Sequence, residues 1–202
     1  MGKAWVKDRK RDAYYRRAKA QGYRSRAAYK LLQIQERFNL IAPGNVVLDL
    51  GAAPGGWSQV ACALGAGSVL AVDQVYMKPI EGVDVLKADL GEETALAALE
   101  EETGGSVDVV LSDMAPRLSG NRTLDHARSV DLAERSFSIA RRVLRERGHL
   151  VTKVFQGDMY PSFRTRVRKQ FARIKDFSPP ASPRGSAEIY LVAMGWRGPR
   201  TP

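Results

Sequence analysis

The sequence predicts an α/β protein with a mainly parallel sheet covered by helices on both faces. Two observations carry this. Short apolar runs alternate with longer helical patterns from Val46 to Gln170, which argues for βαβ units. The alternation then stops, because the last two strand-like runs have no helix between them. The length of 202 residues suits one core, since a chain of this size buries roughly 70% of its unfolded surface.

Each element has its own signal. Ser25 is placed to cap a helix whose apolar positions Ala28, Leu31, Leu32 and Phe38 follow steps of three and four, with Lys30 inside it and Pro43 and Gly44 ending it. A strand from Val46 to Leu50 precedes a helix from about Gly56, and a second strand runs from Ser68 to Asp73. Strand and helix pairs follow at Val83 to Lys87 with Thr94 to Glu102, Val107 to Ser112 with Leu124 to Arg147, and His149 to Phe155 with Pro161 to Gln170. Phe171 to Phe177 and Glu188 to Trp196, joined by the turn-rich SPPASPRGSA, predict a hairpin, so the seven-stranded sheet ends mixed.

Composition excludes several classes. One cysteine, Cys62, cannot close an intramolecular disulfide, and two isolated histidines, His126 and His149, make no zinc set. No apolar run approaches the ~18 residues of a membrane helix, and MGKAWVKDRKR has no apolar segment like the core of a secretion signal. The expectation is a cytoplasmic, metal-free protein without a membrane segment.

Charge is unevenly spread. The net charge is +10, yet residues 1 to 30 hold eleven Lys and Arg against Asp8 and Asp12, leaving +1 for the rest. Trp5, Tyr14, Tyr15 and Tyr23 interleave these cations as stacking surfaces, the footprint of a nucleic-acid contact. The alternative is a solvated basic tail; a lipid-binding helix fits less well, for want of large aliphatic residues. Arg164, Arg166, Arg168, Lys169, Arg173 and Lys175 form a second, weaker basic stretch. The chain divides into a basic RNA-binding extension, 1–24, and one α/β domain, 25–202.

The first strand runs into DLGAAPGGW, residues 49–57. Glycines at a strand-to-helix turn admit a ligand to the backbone, and the helix N-terminus offers free amides. The spacing of Gly51, Gly55 and Gly56 fits neither GxGxxG nor GxxxxGK[ST], which counts against NAD and ATP and leaves S-adenosylmethionine as the common alternative. Asp73 ends the second strand, where a ribose diol is held in such folds, and Asp89 is suited to an exocyclic adenine amine. Either alone reads as a loop or cap aspartate; with the glycine turn they read as ligands. Asp113 and Lys153 fall at the carboxyl ends of the fourth and fifth strands, and Glu188 opens the last run. If that strand is antiparallel, all three reach one rim. Lys153 alone also reads as a strand-end lysine snorkelling to water, but a buried ammonium needs partners that Asp113 and Glu188 supply.

At SRAAYKL, DLGAAPGGWSQV, KADL, LSDMAP, VTKVFQG and SAEIYLVA, the sequence strongly resembles the FtsJ/RrmJ family of RNA ribose 2′-O-methyltransferases, in the short form that acts on large-subunit ribosomal RNA. The resemblance covers nearly the whole chain. It implies a Rossmann-like methyltransferase domain over 25–202 and a catalytic tetrad at Lys30, Asp113, Lys153 and Glu188. It implies S-adenosylmethionine contacts at Gly55, Trp57, Asp73, Asp89 and Asp113. The implied substrate is a uridine of the aminoacyl-tRNA-binding loop of 23S rRNA in the assembled subunit, and the expected state is a monomer.

In the implied reaction a ribose 2′ oxygen attacks the sulfonium methyl in line, and the products are a methyl ether and S-adenosylhomocysteine. Neutral Lys153 acts as base if its pKa falls from the usual ~10.4, and otherwise it orients the hydroxyl as a donor. Alternatives are tRNA or mRNA-cap ribose methylation, a small-molecule methyltransferase, and a non-catalytic RNA-binding ribosome-assembly factor.

Overall fold

The structure, a computed structural model, describes residues 13–183 and 185–198. Trp5 and the cations before residue 13 lie outside the described residues. The elements in order are α1 (Ala13–Ala20), α2 (Ala28–Phe38), β1 (Val46–Leu50), α3 (Gly56–Ala63), β2 (Ser68–Asp73), β3 (Asp84–Lys87), α4 (Glu93–Thr103), β4 (Val107–Ser112), α5 (Arg122–Val143), β5 (Leu144–Phe155), α6 (Tyr160–Arg168), β6 (Phe171–Phe177) and β7 (Glu188–Trp196).

The seven strands form one sheet in the order β3-β2-β1-β4-β5-β7-β6. The first five pair in parallel. β7 is inserted antiparallel between β5 and β6, as the sequence predicts for a terminal hairpin. Strand order reverses at β1, with β2 on one side and β4 on the other, and such a switch point opens a crevice at the carboxyl ends of the strands.

Both faces are buried, which explains the near-continuous apolar runs. Val47, Val69, Val109, Val151 and Val192 face α2 and α3 together with Leu31, Ile34, Trp57 and Val60. Their strand neighbours Leu48, Leu70, Val110, Leu150 and Leu191 face the other way, onto Leu99, Phe137, Ile139 and Phe163 of α4, α5 and α6. α1 is not detached: Ala18, Tyr29 and Ala181 form a small cluster, and the Tyr14 ring sits 5.4 Å from Tyr29. Tyr14 and Tyr23 are thus half-buried against Tyr29.

Several boundaries differ from the sequence reading: β3 starts at Asp84 rather than Val83, α4 is one residue longer at each end, α5 starts at Arg122 rather than Leu124, β5 starts at Leu144 rather than His149, and α6 spans Tyr160–Arg168 rather than Pro161 to Gln170. Three further differences have a plain local cause. Ser25 does not cap α2; Ala27 does so without a side-chain bond, because a backbone turn from Ser25 O to Ala28 N (3.3 Å) already opens the helix. α2 ends before Pro43, at Asn39, whose left-handed φ of 50° lets its N–H close on Gln35 O. α5 stops at Val143 rather than Arg147. Leu144 is buried and pairs with Val107, after which Arg145 to Gly148 loop out before His149 meets Val109.

Phe163 is fully buried on α6, its ring 6.3 Å from that of Phe137. Phe163→Ala is expected to destabilise the fold by about 3–5 kcal/mol in chemical denaturation, through lost burial and the cavity left behind. A loss below about 1 kcal/mol would mean that α6 is not anchored by this ring.

Candidate active site

β1 delivers its chain end into the switch-point crevice, where Gly51, at φ 69°, turns beneath the loop that follows β4. A Cβ on Gly51 would lie 2.4 Å from Met114 Cγ, so only glycine keeps this cradle open. Gly55, at φ 107°, precedes α3, and a Cβ there would meet Ile80 Cδ1 at 2.4 Å. Above the turn lies a cavity of 480 Å³ lined by Gly51, Ala53, Asp73, Asp89, Asp113 and Arg135, among others.

Asp73 braces the turn, accepting from Ala53 N through Oδ2 (2.9 Å) and from Val75 N through Oδ1 (2.8 Å). Asp89 Oδ1 accepts from Gly91 N at 2.9 Å. A carboxylate has about four acceptor sites, so both acids retain capacity for a ligand. Gly55 and Trp57 are not among the lining residues. The Trp57 indole is buried between α2 and β7, where Nε1 donates to Ala27 O (2.8 Å) and the ring sits 5.6 Å from that of Tyr190.

Next to this cavity, at the same strand edge, the four widely spaced residues meet. Lys30 comes from α2, Asp113 from the residue after β4, Lys153 from β5 and Glu188 from the start of β7. The antiparallel register sets Glu188 opposite Phe155 and Tyr190 opposite Lys153, which brings the beginning of β7 to the carboxyl end of β5. Lys153 Nζ donates to Asp113 Oδ1 (2.8 Å) and to the Asp113 carbonyl (2.5 Å). Lys30 Nζ lies 2.7 Å from Glu188 Oε1 and 3.9 Å from Asp113 Oδ1. Lys30, Lys153 and Glu188 are each 7% exposed, so their charges are compensated by one another rather than by water.

Two participants escaped the sequence reading. Tyr190 OH donates to Asp113 Oδ1 at 2.6 Å and stands 3.4 Å from Glu188 Oε1; Ser182 Oγ donates to Glu188 Oε1 at 2.7 Å. A signal for Tyr190 did exist, since it is two positions after Glu188 and therefore shares its strand face. Ser182 lies in the hairpin connection and has no periodic signal.

The electrostatics follow from this packing. Burial works to raise the Asp113 pKa, but the charges of Lys153 and Lys30 and the hydrogen bonds from Lys153 and Tyr190 outweigh it and hold the carboxyl below its ordinary range. Burial raises the Tyr190 phenol well above its usual value, and the negative charges of Asp113 and Glu188 push the same way. Tyr190 is therefore a hydrogen donor at neutral pH.

Arg24, counted by sequence among the RNA-binding cations, is instead a strap. Nη1 donates to Pro54 O (3.2 Å) and Lys78 O (2.5 Å), and Nη2 donates to Pro79 O (2.6 Å). Its backbone N–H donates to Gln59 Oε1 at 2.8 Å, while Gln59 Nε2 donates to Gly22 O at 3.0 Å. These bonds tie the turn before α2 to the glycine loop.

The fold and site together define a Rossmann-like methyltransferase: a parallel sheet with an antiparallel strand inserted before its edge, a glycine turn without a phosphate loop, and acids lining the switch-point cavity. The chain belongs to the FtsJ-like methyltransferase family, whose model matches residues 23–196. It is 50% identical over 192 residues to the ribosomal RNA large subunit methyltransferase E of Archaeoglobus fulgidus, covering 95% of this chain and 99% of that one. The protein of the same name from Azoarcus sp. is 48% identical over 198 residues, covering 96% and 97%. A Plasmodium falciparum structure described as a ribosomal RNA methyltransferase superposes with a TM-score of 0.79 at 26% identity, covering 88% of this chain and all of that one.

Asp49 gives this site a pH signature. It is 1% exposed on β1, and Ser58 Oγ donates to its Oδ2 at 2.6 Å. Burial pushes its pKa to about 7, against the Ser58 hydrogen bond and with the charge of Asp113. In the unfolded chain it ionises near its ordinary value of 3.8, so the folded state holds the extra proton between about pH 4 and 7, and stability falls as pH rises through that window. Asp49→Asn removes this titration, so its stability relative to the parent should grow from pH 4 to pH 8 in urea titrations. A constant difference across that range would show that Asp49 does not carry the effect.

Proposed function

We propose that this protein transfers the methyl group of S-adenosylmethionine to a ribose 2′-hydroxyl of large-subunit ribosomal RNA, at a uridine of the aminoacyl-tRNA-binding loop in the assembled subunit. The observation that carries this reading is the meeting of Lys30, Asp113, Lys153 and Glu188 beside the cavity of Asp73 and Asp89. The names of the relatives support the ribosomal substrate. The +9 surplus in residues 1 to 30 supports a polyanion over a small-molecule acceptor.

The cavity suits the methyl donor. Asp73 has acceptor sites left for a ribose diol and Asp89 for an adenine amine, while the open cradle at Gly51 leaves room at the turn. Trp57 does not line this cavity and its indole is committed to Ala27, so the part proposed for it is to pack α2 against the glycine turn, not to contact the donor. When bound, S-adenosylmethionine supplies a methyl group already activated on a sulfonium.

The chain's own residues do the rest. Lys153 is the group assigned to the acceptor hydroxyl. Two of its three hydrogen positions are held by Asp113, which fixes the third on the acceptor hydroxyl; once the proton at that third position has left, the same position takes the hydroxyl's proton as the oxygen–carbon bond forms and the carbon–sulfur bond breaks. Such alignment alone can be worth about 7–11 kcal/mol. Asp113, kept ionised, favours the positive charge of the donor. Lys30, held by Glu188, takes the target ribose or its neighbouring phosphate. One chain supplies all four residues, which supports a monomer, and the cytoplasm is proposed only as the place where the proposed ribosomal substrate is met. Intact convergence of the four also speaks against a non-catalytic assembly factor.

Lys153→Ala is expected to lower methyl transfer by at least about 10²-fold while donor affinity in calorimetry stays within a few fold. Turnover like the parent's would refute the role of Lys153. Incubation with labelled S-adenosylmethionine and, separately, free rRNA, tRNA and isolated large subunits, followed by mapping of the modified nucleotide, tests the substrate. Label confined to tRNA or to a cap would replace the ribosomal reading.

A further inference from the structure

The second basic stretch has no part in the site described so far, although much of it converges on one place. Arg164 and Arg168 of α6, Arg173 and Lys175 of β6, and Arg197 just beyond β7 line a single groove of 540 Å³, floored by Phe171, Ala172 and Ile174. No acidic side chain is among its lining residues. Two carboxylates lie beside it. Asp176 is committed, holding Arg164 at 2.9 Å and accepting from Tyr160 OH at 2.5 Å. Glu146 stands at the Arg197 end, its Oε1 3.8 Å from where a Cβ on Gly198 would lie, without lining the groove. Among the described residues, the side chains of Arg168, Arg173, Lys175 and Arg197 have no ion-pair or hydrogen-bond partner, and all four are exposed.

Two ordinary roles account for part of this. Cations in the last turn of α6 complement the helix dipole, and cations on an edge strand discourage pairing with another sheet. Neither role brings Arg197 from a third element into the same groove. Neither leaves four like charges unpaired around it, where they repel one another until a polyanion arrives.

We propose that this groove binds the phosphate backbone of a second segment of the RNA substrate; this rests on the RNA reading above. The groove wraps the outer edge of the sheet: Arg164 and Arg168 stand on α6, on the face away from α2, whereas Arg173 and Lys175 lie opposite Met194 and Val192 and so leave β6 on the α2 face. Lys153 and Phe177 both lie opposite Tyr190, and Arg173 is four residues back along β6, so a phosphate at Arg173 is on the order of 15 Å from a nucleotide at Lys153, further than one nucleotide reaches. The substrate class that satisfies both is an RNA several nucleotides or more in extent that reaches from the strand edge to the outer edge of the sheet, not a mononucleotide.

The test uses the full chain carrying Arg168→Glu and Arg173→Glu, neither of which touches the tetrad or the cofactor cavity. For folded large-subunit rRNA the affinity should fall, and the slope of log K against log[salt] should become shallower by about 1.4–1.8, the value for two lost phosphate contacts. KM for that RNA should rise with kcat unchanged, while an oligonucleotide limited to the target loop should be methylated as by the parent. Arg168→Lys with Arg173→Lys should restore affinity, since the groove needs charge. If the Glu pair fails to fold, judged by its melting transition, the Gln pair replaces it with the same expected direction. Unchanged affinity and salt slope in the folded variant would overturn the groove, as would loss of binding only to phosphatidylserine vesicles. A parent protein that methylates no RNA overturns the function proposed above; a parent and variant that methylate folded rRNA alike overturn only the groove.

Discussion

Everything at the strand edge depends on the shared carboxylate of Asp113. Its Oδ1 takes a hydrogen from Lys153 and another from Tyr190, and Lys30 stands within ion-pair range of the same atom. Two ammonium groups cannot be buried at 7% exposure without this acid and Glu188, and the two acids could not be ionised there without the amines. The cluster is therefore a neutral unit in which removal of one member strands another. Tyr190 completes it, because burial and the two adjacent acids keep its proton on, and that one hydrogen goes to Asp113.

The topology makes that cluster possible. Parallel strands carry their carboxyl ends to one edge, which suits Asp113 and Lys153 but would send the start of a further parallel strand to the opposite edge. Insertion of β7 antiparallel beside β5 places Glu188 next to Phe155 instead. The connection from β6 back to β7 then crosses the same edge, which is how Ser182 reaches Glu188 and Ala181 reaches the cluster of α1 and α2. Asp49 shows the other consequence of a sheet covered on both faces: a carboxyl two residues before the glycine turn is fully enclosed and holds its proton to about pH 7.

What the sequence makes legible is what periodicity and residue type encode. Alternation fixes the fold class, the terminal hairpin fixes the direction of β7, and that direction makes the meeting of Asp113, Lys153 and Glu188 readable in advance. Lys30 enters only through family resemblance, because nothing in the spacing of a helix says which strand edge its side chain will meet. Ser25 misleads because a capping residue type does not ensure capping geometry once a backbone turn does the same work. Arg24 misleads more instructively. Counted as charge it belongs to the basic arm, yet its guanidinium is spent on three carbonyls of the cofactor side, a use that depends wholly on where the chain folds back.

The neutrality of the tetrad also constrains how the proposed substrate is gathered. A site of two cations and two anions creates little net field, so it cannot by itself draw in a polyphosphate chain. Among the described residues, the cations that can do so sit elsewhere: on α1, which packs against α2, and along α6, β6 and the end of β7 at the outer edge of the sheet. Capture and chemistry are thereby separated. In the proposed reaction, exposed charges would supply a salt-sensitive attraction that is indifferent to sequence, while the buried cluster, shielded from salt by its own burial, would supply alignment of one hydroxyl. On that proposal an acceptor held at only one of these places would bind or be aligned, but not both, so the RNA selected would be one that reaches the charged surface and the strand edge together.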